Sequence, residues 1–222
     1  MTTVKNGIAQ WWIVSRFTVI TLACMLLAAC EDSRKSSELG SGHDFGDNSS
    51  DVVVAFGDSI TAGKYNDIPY PEHLATMIEK EVINSGVSGS VSSSGTDRIA
   101  SVLMSTEPGF VVIMYGTNDA IHDYEVAQVI ENLRAMVQAC ELNKSIPILC
   151  TLTPQTDWRI IFQDRVDDIN AGIRTLAREE KVVLADVATA FIGRESLLIG
   201  EDNLHPNETG AFIIAETVAA VF

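Results

Sequence analysis

The chain has 222 residues, of which 46% are hydrophobic, and its 15 basic and 30 acidic residues give a formal net charge of −15 at pH 7. So acidic a surface repels nucleic acid and anionic lipid headgroups, which excludes partners that are held by a basic patch. The acidity also serves solubility, whatever the function.

The N-terminal segment has the pattern of a secretory signal. Lys5 and Arg16 precede an apolar run of thirteen residues, Phe17 to Ala29, which is too short to span a bilayer comfortably. The run ends in Leu27-Ala28-Ala29-Cys30, which resembles the lipobox of bacterial lipoproteins, where the cysteine is lipidated and becomes the new N-terminus. We predict a signal peptide over residues 1–29 and a protein exported and anchored to the cell envelope through Cys30. An uncleaved signal anchor is the alternative.

The next segment, residues 30–50, is rich in Ser, Gly, Asp and Glu, and Phe45 is its only aromatic residue. Such a composition buries too little apolar surface to fold, so we predict a disordered tether. The folded domain is then expected over residues 51–222, a length that suits one domain with one core.

Short β-rich apolar runs alternate with helical patterns along this domain. The runs are Val52–Phe56, Val82–Asn84, Phe110–Tyr115, Ile146–Thr151 and Val182–Ala185. Apolar residues at helical spacing fall between and after them, over residues 72–80, 97–104, 126–140, 162–176 and 212–222. Several runs are apolar throughout, which is typical of parallel strands covered on both faces. The pattern predicts an α/β fold, a three-layer α/β/α sandwich.

Polar clusters follow three of the predicted strands, and a fourth cluster precedes the last helix. They are Gly57-Asp58-Ser59, Ser85 to Gly89, Gly116-Thr117-Asn118-Asp119 and Asp202 to His205. In open parallel sheets, ligands bind beyond the carboxyl ends of the strands. We therefore expect these four segments to converge at one edge of the sheet.

Three residues have the types needed for nucleophilic catalysis. Ser59 could act as the nucleophile, His205 as its base, and Asp202 as the group that orients the base. Serine is a poor nucleophile at neutral pH unless a base takes its proton. When a carboxylate stands three residues before a histidine in a turn, it can reach the ring nitrogen that does not face the serine. The alternative is that Asp202 is a solvated loop acid and His205 a helix-entry residue.

Acyl transfer also needs donors for the developing oxyanion. Three candidate donors lie at predicted strand ends, where they could reach the oxyanion: the N–H groups of Ser59 and Gly89 and the side-chain amide of Asn118. Alternatively, Gly89 belongs to a flexible loop and Asn118 is a turn residue.

These segments resemble the conserved blocks of the SGNH hydrolases, also called the GDSL family, and the resemblance spans nearly all of residues 51–222. The matching blocks are Gly57-Asp58-Ser59-Ile60, Asn84-Ser85-Gly86-Val87-Ser88-Gly89, Gly116-Thr117-Asn118-Asp119 and Asp202-Asn203-Leu204-His205-Pro206. The second block departs from the family, because Ser90 stands where many members have aspartate, and Gly86 competes with Gly89 for the donor position.

The resemblance implies a flavodoxin-like sandwich with a five-stranded parallel sheet. It also implies a serine ester hydrolase with Ser59, His205 and Asp202 as triad and Ser59, Gly89 and Asn118 as oxyanion donors. The expected substrate is a small-molecule, lipid or glycan ester, with an acyl or acetyl esterase and a lysophospholipase-like enzyme both open. No cofactor is expected.

Other readings fit less well. The segment Gly57 to Lys64 resembles a phosphate-binding loop but has one residue too many between its glycines, and Tyr65 replaces the metal-binding hydroxyl. There is no G-x-S-x-G motif and no convincing metal-ligand spacing. A non-catalytic lipoprotein that binds a glycan or lipid in the same crevice is the alternative function.

Cys140 and Cys150 are expected to be buried free thiols, although a disulfide between them is left open.

Overall fold

Parallel strands rich in β-branched and aromatic residues form the central sheet of the computed structural model, which describes residues 39–222. The strands are β1 (Ser49–Gly57), β2 (Glu81–Gly86), β3 (Pro108–Met114), β4 (Ile146–Cys150) and β5 (Val183–Ala185). They pair in the order β2-β1-β3-β4-β5, and every pairing is parallel. The predicted five-stranded parallel sheet is therefore confirmed.

Helices cover both faces of this sheet, as a three-layer α/β/α sandwich requires. In chain order they are α1 (Ser59–Ala62), α2 (Tyr70–Ile78), α3 (Ser92–Thr106), α4 (Thr117–Ile121), α5 (Val126–Leu142), α6 (Gln163–Glu180), α7 (Val187–Phe191), α8 (Glu195–Leu198) and α9 (Glu208–Ala219). A 3₁₀ helix, Asp157–Phe162, precedes α6. Within the described part of the chain, none of these helices is long and apolar enough to cross a membrane.

The core follows from the alternation of side chains along the strands. Val54 and Phe56 of β1 belong to an apolar cluster with residues of α3, α5 and α6. Successive side chains of a strand point to opposite faces, so the buried neighbours Val53 and Ala55 face the other layer, in which α2 packs against α9. All seven residues of the central strand β3 are buried, because helices cover both faces of the sheet at that strand.

The folded unit begins earlier than the residue 51 that composition suggested. It extends from Gly42 to Phe222, and β1 starts at Ser49. The Phe45 ring packs edge-on against Phe110 with centroids 5.4 Å apart. A single aromatic side chain thus supplies the apolar contact that the polar composition of this segment concealed. The predicted signal peptide over residues 1–29 and the lipidation site Cys30 lie outside the described residues.

The short helices α1, α4, α7 and α8 were not predicted. They have four or five residues each, which is too few to show a helical period in the sequence. Two of them, α1 and α4, directly follow β1 and β3 and carry predicted site residues.

Cys140 and Cys150 are both buried, and each has a free thiol in the structure. Burial raises the pKa of Cys140 to about 12, and burial raises that of Cys150 as well. Both thiols therefore stay protonated at neutral pH and behave as small apolar core groups.

Candidate active site

The predicted nucleophile Ser59 lies at the carboxyl end of β1. The strand ends at Gly57, and Asp58 caps α1 because its Oδ1 accepts a hydrogen bond of 2.9 Å from the Ile60 N–H. Ser59 is the first residue of this helix and is 7% exposed. The turn from strand to helix therefore holds its hydroxyl at the sheet edge where ligands bind in such folds.

The structure brings Ser59, His205 and Asp202 into contact. His205 Nε2 lies 2.8 Å from Ser59 Oγ, and His205 Nδ1 lies 2.5 Å from Asp202 Oδ2. His205 is largely buried, with 4% of the residue exposed. The three side chains form a continuous hydrogen-bonded chain, with the imidazole between the hydroxyl and the carboxylate.

The carboxylate of Asp202 stays ionised at neutral pH. Partial burial by itself would raise its pKa, but hydrogen bonds from the His205 ring and from the His205 and Leu204 N–H groups hold the pKa below its ordinary value. An ionised Asp202 accepts a hydrogen bond from the Nδ1–H of His205, which leaves Nε2 free to accept a proton from a hydroxyl.

The turn that carries Asp202 and His205 is fixed by contacts with its neighbours. The Gly200 N–H donates to the His205 carbonyl at 2.7 Å, and Arg159 Nε donates to the Asp202 carbonyl at 2.9 Å. Thr156 Oγ1 donates to Asn203 Oδ1 at 3.1 Å. Sequence reasoning missed Arg159 and Thr156, because both lie in the loop and 3₁₀ helix after β4, where no motif marks them.

The two further oxyanion candidates differ in how the structure engages them. Asn118 Nδ2 donates to the Ser90 carbonyl at 2.9 Å and to Asp58 Oδ2 at 3.3 Å. The Gly89 N–H donates to no acceptor among residues 39–222. Gly89 has φ +77°, a left-handed conformation that favours glycine, and a Cβ there would meet nothing within 4 Å. Its backbone is therefore open to a ligand.

Gly86, the competing glycine of the same loop, serves packing instead. Its N–H already donates to Asn84 Oδ1 at 3.0 Å, and a Cβ would lie 2.2 Å from the Ala62 nitrogen. The glycine lets β2 approach the backbone of α1 closely. These contacts favour Gly89 over Gly86 as the donor.

Two buried carboxylates, those of Asp58 and Asp119, lie next to the site residues and hold their segments in place. Complete burial raises the pKa of Asp58 to about 7 against the lowering effect of the Ile60 N–H, and the negative charge of Asp119 adds to the rise. Asp119 accepts hydrogen bonds from the N–H and the hydroxyl of Ser92, at 2.9 and 2.6 Å. It thereby ties α4, which carries Asn118, to the start of α3.

Arg98 of α3 connects three strand ends and was not predicted. Its guanidinium donates to the Gly57 carbonyl at 3.4 Å, to the Ser85 carbonyl, and to the Tyr115 hydroxyl at 3.1 Å. The guanidinium carbon lies 4.2 Å from the centroid of the Phe56 ring. One side chain thus joins the ends of β1, β2 and β3, from which the segments with Ser59, Gly89 and Asn118 leave.

Replacing Arg98 with lysine should therefore loosen the site. Lysine keeps the charge but has no planar fork to bond several acceptors. We expect the free energy of unfolding to fall by about 1–3 kcal/mol, and kcat to fall about 10-fold with KM little changed. Denaturant unfolding and steady-state kinetics measure both, with Arg178→Lys on the exposed surface of α6 as control. Lost stability with unchanged kcat would show that Arg98 has no role in positioning.

Within residues 39–222, no group of three or more His, Cys, Asp or Glu side chains is arranged to hold a metal ion.

The chain is similar to known proteins in sequence and in fold. The model of the GDSL-like Lipase/Acylhydrolase family matches residues 55–211, a range that includes the polar segments described above. A solved lipase/acylhydrolase from Enterococcus faecalis superposes with a TM-score of 0.67 at 26% sequence identity, over 76% of this chain and 93% of that one.

Two curated relatives, one an enzyme and one a lipoprotein, are similar to the chain in sequence. The chain is 24% identical to the thioesterase 1/protease 1/lysophospholipase L1 of Escherichia coli K12, over 76% of this chain and 82% of that protein. It is 26% identical to the uncharacterized lipoprotein YqeF of Bacillus subtilis, over 64% of this chain and 58% of that protein.

Proposed function

Because the chain belongs to the GDSL-like lipase/acylhydrolase family and is thus an ester hydrolase, we propose that Ser59, His205 and Asp202 are its catalytic triad. The observation that carries the proposal is the 2.8 Å contact between Ser59 Oγ and His205 Nε2, with Asp202 on the other ring nitrogen. Such an arrangement gives serine a base and holds that base in the correct tautomer.

In the proposed reaction, Ser59 Oγ attacks the ester carbonyl carbon while His205 Nε2 takes the hydroxyl proton. The tetrahedral intermediate collapses when His205 returns that proton to the leaving alcohol, which leaves an acyl group on Ser59. Water then attacks the acyl carbon with His205 as base, and the acid is released as the Ser59 hydroxyl forms again. Asp202 stabilises the imidazolium at each transfer, and its low pKa suits that role.

The N–H groups of Ser59 and Gly89 and the Asn118 amide are the proposed oxyanion donors. Gly89 supports this role because its N–H has no acceptor within the described residues. The Asn118 amide is held by the Ser90 carbonyl at 2.9 Å and has a longer contact of 3.3 Å to Asp58, which an oxyanion would replace. Donors that are in place before charge develops stabilise the transition state without reorganisation.

We further propose that residues 1–29 are a signal peptide and that lipidated Cys30 anchors the protein to the cell envelope. The lipobox-like sequence supports the anchor, and the similarity to a Bacillus subtilis lipoprotein is consistent with it. The catalytic domain then acts on small-molecule, lipid or glycan esters outside the cytoplasm.

Labelling with a fluorophosphonate probe tests the triad. The probe phosphonylates a serine only when a neighbouring base activates it, so we expect one adduct per chain, mapped to Ser59 by peptide mass spectrometry. Denatured protein is the control and should not react. A well-folded protein that is not labelled, or is labelled at another serine, would contradict the proposal and favour a binding module.

A further inference from the structure

A pocket of about 440 Å³ opens directly beside the imidazole of His205. Its lining residues are Tyr65, Gly200, Glu201, Asp202, His205, Pro206 and Asn207. The lining therefore comes from the loop after α1 and from the turn before α9. Two of the proposed oxyanion donors, Gly89 after β2 and Asn118 after β3, lie in segments that do not contribute to it.

Tyr65 is held at this pocket although its side chain is 70% exposed. Its ring lies edge-on to the His205 ring, with centroids 5.2 Å apart and planes at 79°. Its backbone has φ +71°, a left-handed conformation that is uncommon for a bulky residue. Asn66 Nδ2 donates to the Pro206 carbonyl at 3.1 Å, which ties the loop of Tyr65 to the histidine turn.

The chemistry of the triad assigns the pocket to one side of the ester. His205 Nε2 must donate a proton to the leaving oxygen, so the alcohol lies next to the imidazole. The carbonyl oxygen must point toward the oxyanion donors, of which Gly89 and Asn118 belong to other segments. A pocket lined by His205 and its own turn is thus placed to receive the alcohol.

We propose that this pocket is the alcohol subsite and that Tyr65 selects an uncharged alcohol that contains a ring, an inference that rests on the proposed triad. An exposed aromatic ring beside the imidazole offers a flat face and edge against which a sugar or aryl ring can pack. Purely alkyl alcohols gain less from such a surface.

The charges around the pocket disfavour an anionic alcohol. Glu201 and Asp202 supply two carboxylates to the lining. The nearby ammonium of Lys64 lies 4.9 Å from the centroid of the Tyr65 ring, at its face. Arg159 also lies nearby, on the Asp202 carbonyl, but the lining itself holds two carboxylates and no lysine or arginine, and the formal net charge of the whole chain is −15. A phosphate or sulfonate on the leaving group would be repelled.

The ring preference is tested with acetate esters that differ only in the alcohol: phenyl acetate, a monoacetylated methyl xyloside and ethyl acetate. In Tyr65→Ala, the kcat/KM ratio of each ring ester to ethyl acetate should fall about 3- to 10-fold. Tyr65→Phe keeps the ring and should restore the ratio. A loss confined to phenyl acetate assigns the subsite to aryl alcohols, and one confined to the xyloside assigns it to sugars.

Equal losses for all three esters would overturn the proposal, because Tyr65 would then act only through the position of His205. Fluorophosphonate labelling of Ser59 in the same variants separates the two hypotheses. Normal labelling with unchanged ester ratios rejects the alcohol subsite alone, whereas an unlabelled wild-type protein rejects the triad.

A second substitution tests the charge of the subsite. In Glu201→Gln, kcat/KM for 4-sulfophenyl acetate relative to phenyl acetate should rise about 2-fold, the effect of removing one like charge at a solvated distance of about 8 Å. Added salt should reduce this difference. An unchanged ratio would exclude Glu201 from the selection of the alcohol.

Discussion

Replacing Ser59 with alanine is expected to lower kcat for ester hydrolysis by about 10⁴- to 10⁶-fold. The substitution removes the atom that would attack the carbonyl, and the imidazole of His205, 2.8 Å away in the structure, loses its partner. Alanine deletes one oxygen from a site that is 7% exposed, so the fold should be retained. Steady-state hydrolysis of phenyl acetate and a thermal unfolding curve measure the two effects.

A double substitution shows whether Ser59 and His205 act as one unit. His205→Ala should cost nearly as much as Ser59→Ala, and the Ser59→Ala, His205→Ala protein should be no slower than either single variant, because residues of a triad are strongly non-additive. Multiplicative losses would mean that the two groups act independently. Substantial hydrolysis by folded Ser59→Ala would exclude Ser59 as the nucleophile.

Replacing Asn118 with alanine should lower kcat by about 10²- to 10³-fold, the usual cost of one oxyanion donor. The loss should appear in kcat more than in KM, since the amide contributes most when negative charge develops on the carbonyl oxygen. The same substitution removes the contacts of the amide with Ser90 and Asp58, so stability has to be measured alongside activity.

Asn143→Ala is the matched control for this loss. The Asn143 amide also makes two hydrogen bonds, to Asn48 Oδ1 at 3.2 Å and to Ser145 Oγ at 3.0 Å, but it lies just before β4, at the amino end of the sheet. It should lower stability without the loss in kcat. If Asn118→Ala and Asn143→Ala reduce kcat equally, Asn118 is not an oxyanion donor.

Much of the fold was predictable because it depends on local patterns. The run Val52–Phe56 is apolar at every position, which is typical of a strand covered on both faces, and Val53 to Phe56 are buried in the structure. The helical spacing of Val126, Val129 and Leu133 gave the correct helix, α5, for a similar reason. Helix ends and the short helices α1 and α4 were less predictable, since a turn of four residues has no period.

The candidate site was predictable as a set of residue types, and its supporting contacts were not. Chain order, strand ends and the family resemblance together pointed to Ser59 and His205, which lie 146 positions apart and whose side chains are 2.8 Å apart in the structure. Arg98 and Arg159 gave no signal, because an arginine on an amphipathic helix or in a loop looks like any solvated charge. Several of their contacts are to backbone carbonyls, which are present at every position of any sequence.

The sequence by itself determined the parallel sheet, the strand ends that carry the site, and the pairing of a serine with a distant Asp-x-x-His turn. Only the tertiary structure decided that, among the described residues, the Gly86 N–H has an acceptor and the Gly89 N–H has none, that the folded unit begins at Gly42, and that Tyr65 stands beside His205. The reason is physical. The spacing of apolar residues shows which side of each helix or strand faces the core. The features above instead depend on contacts between atoms that come together only after the chain has closed long loops.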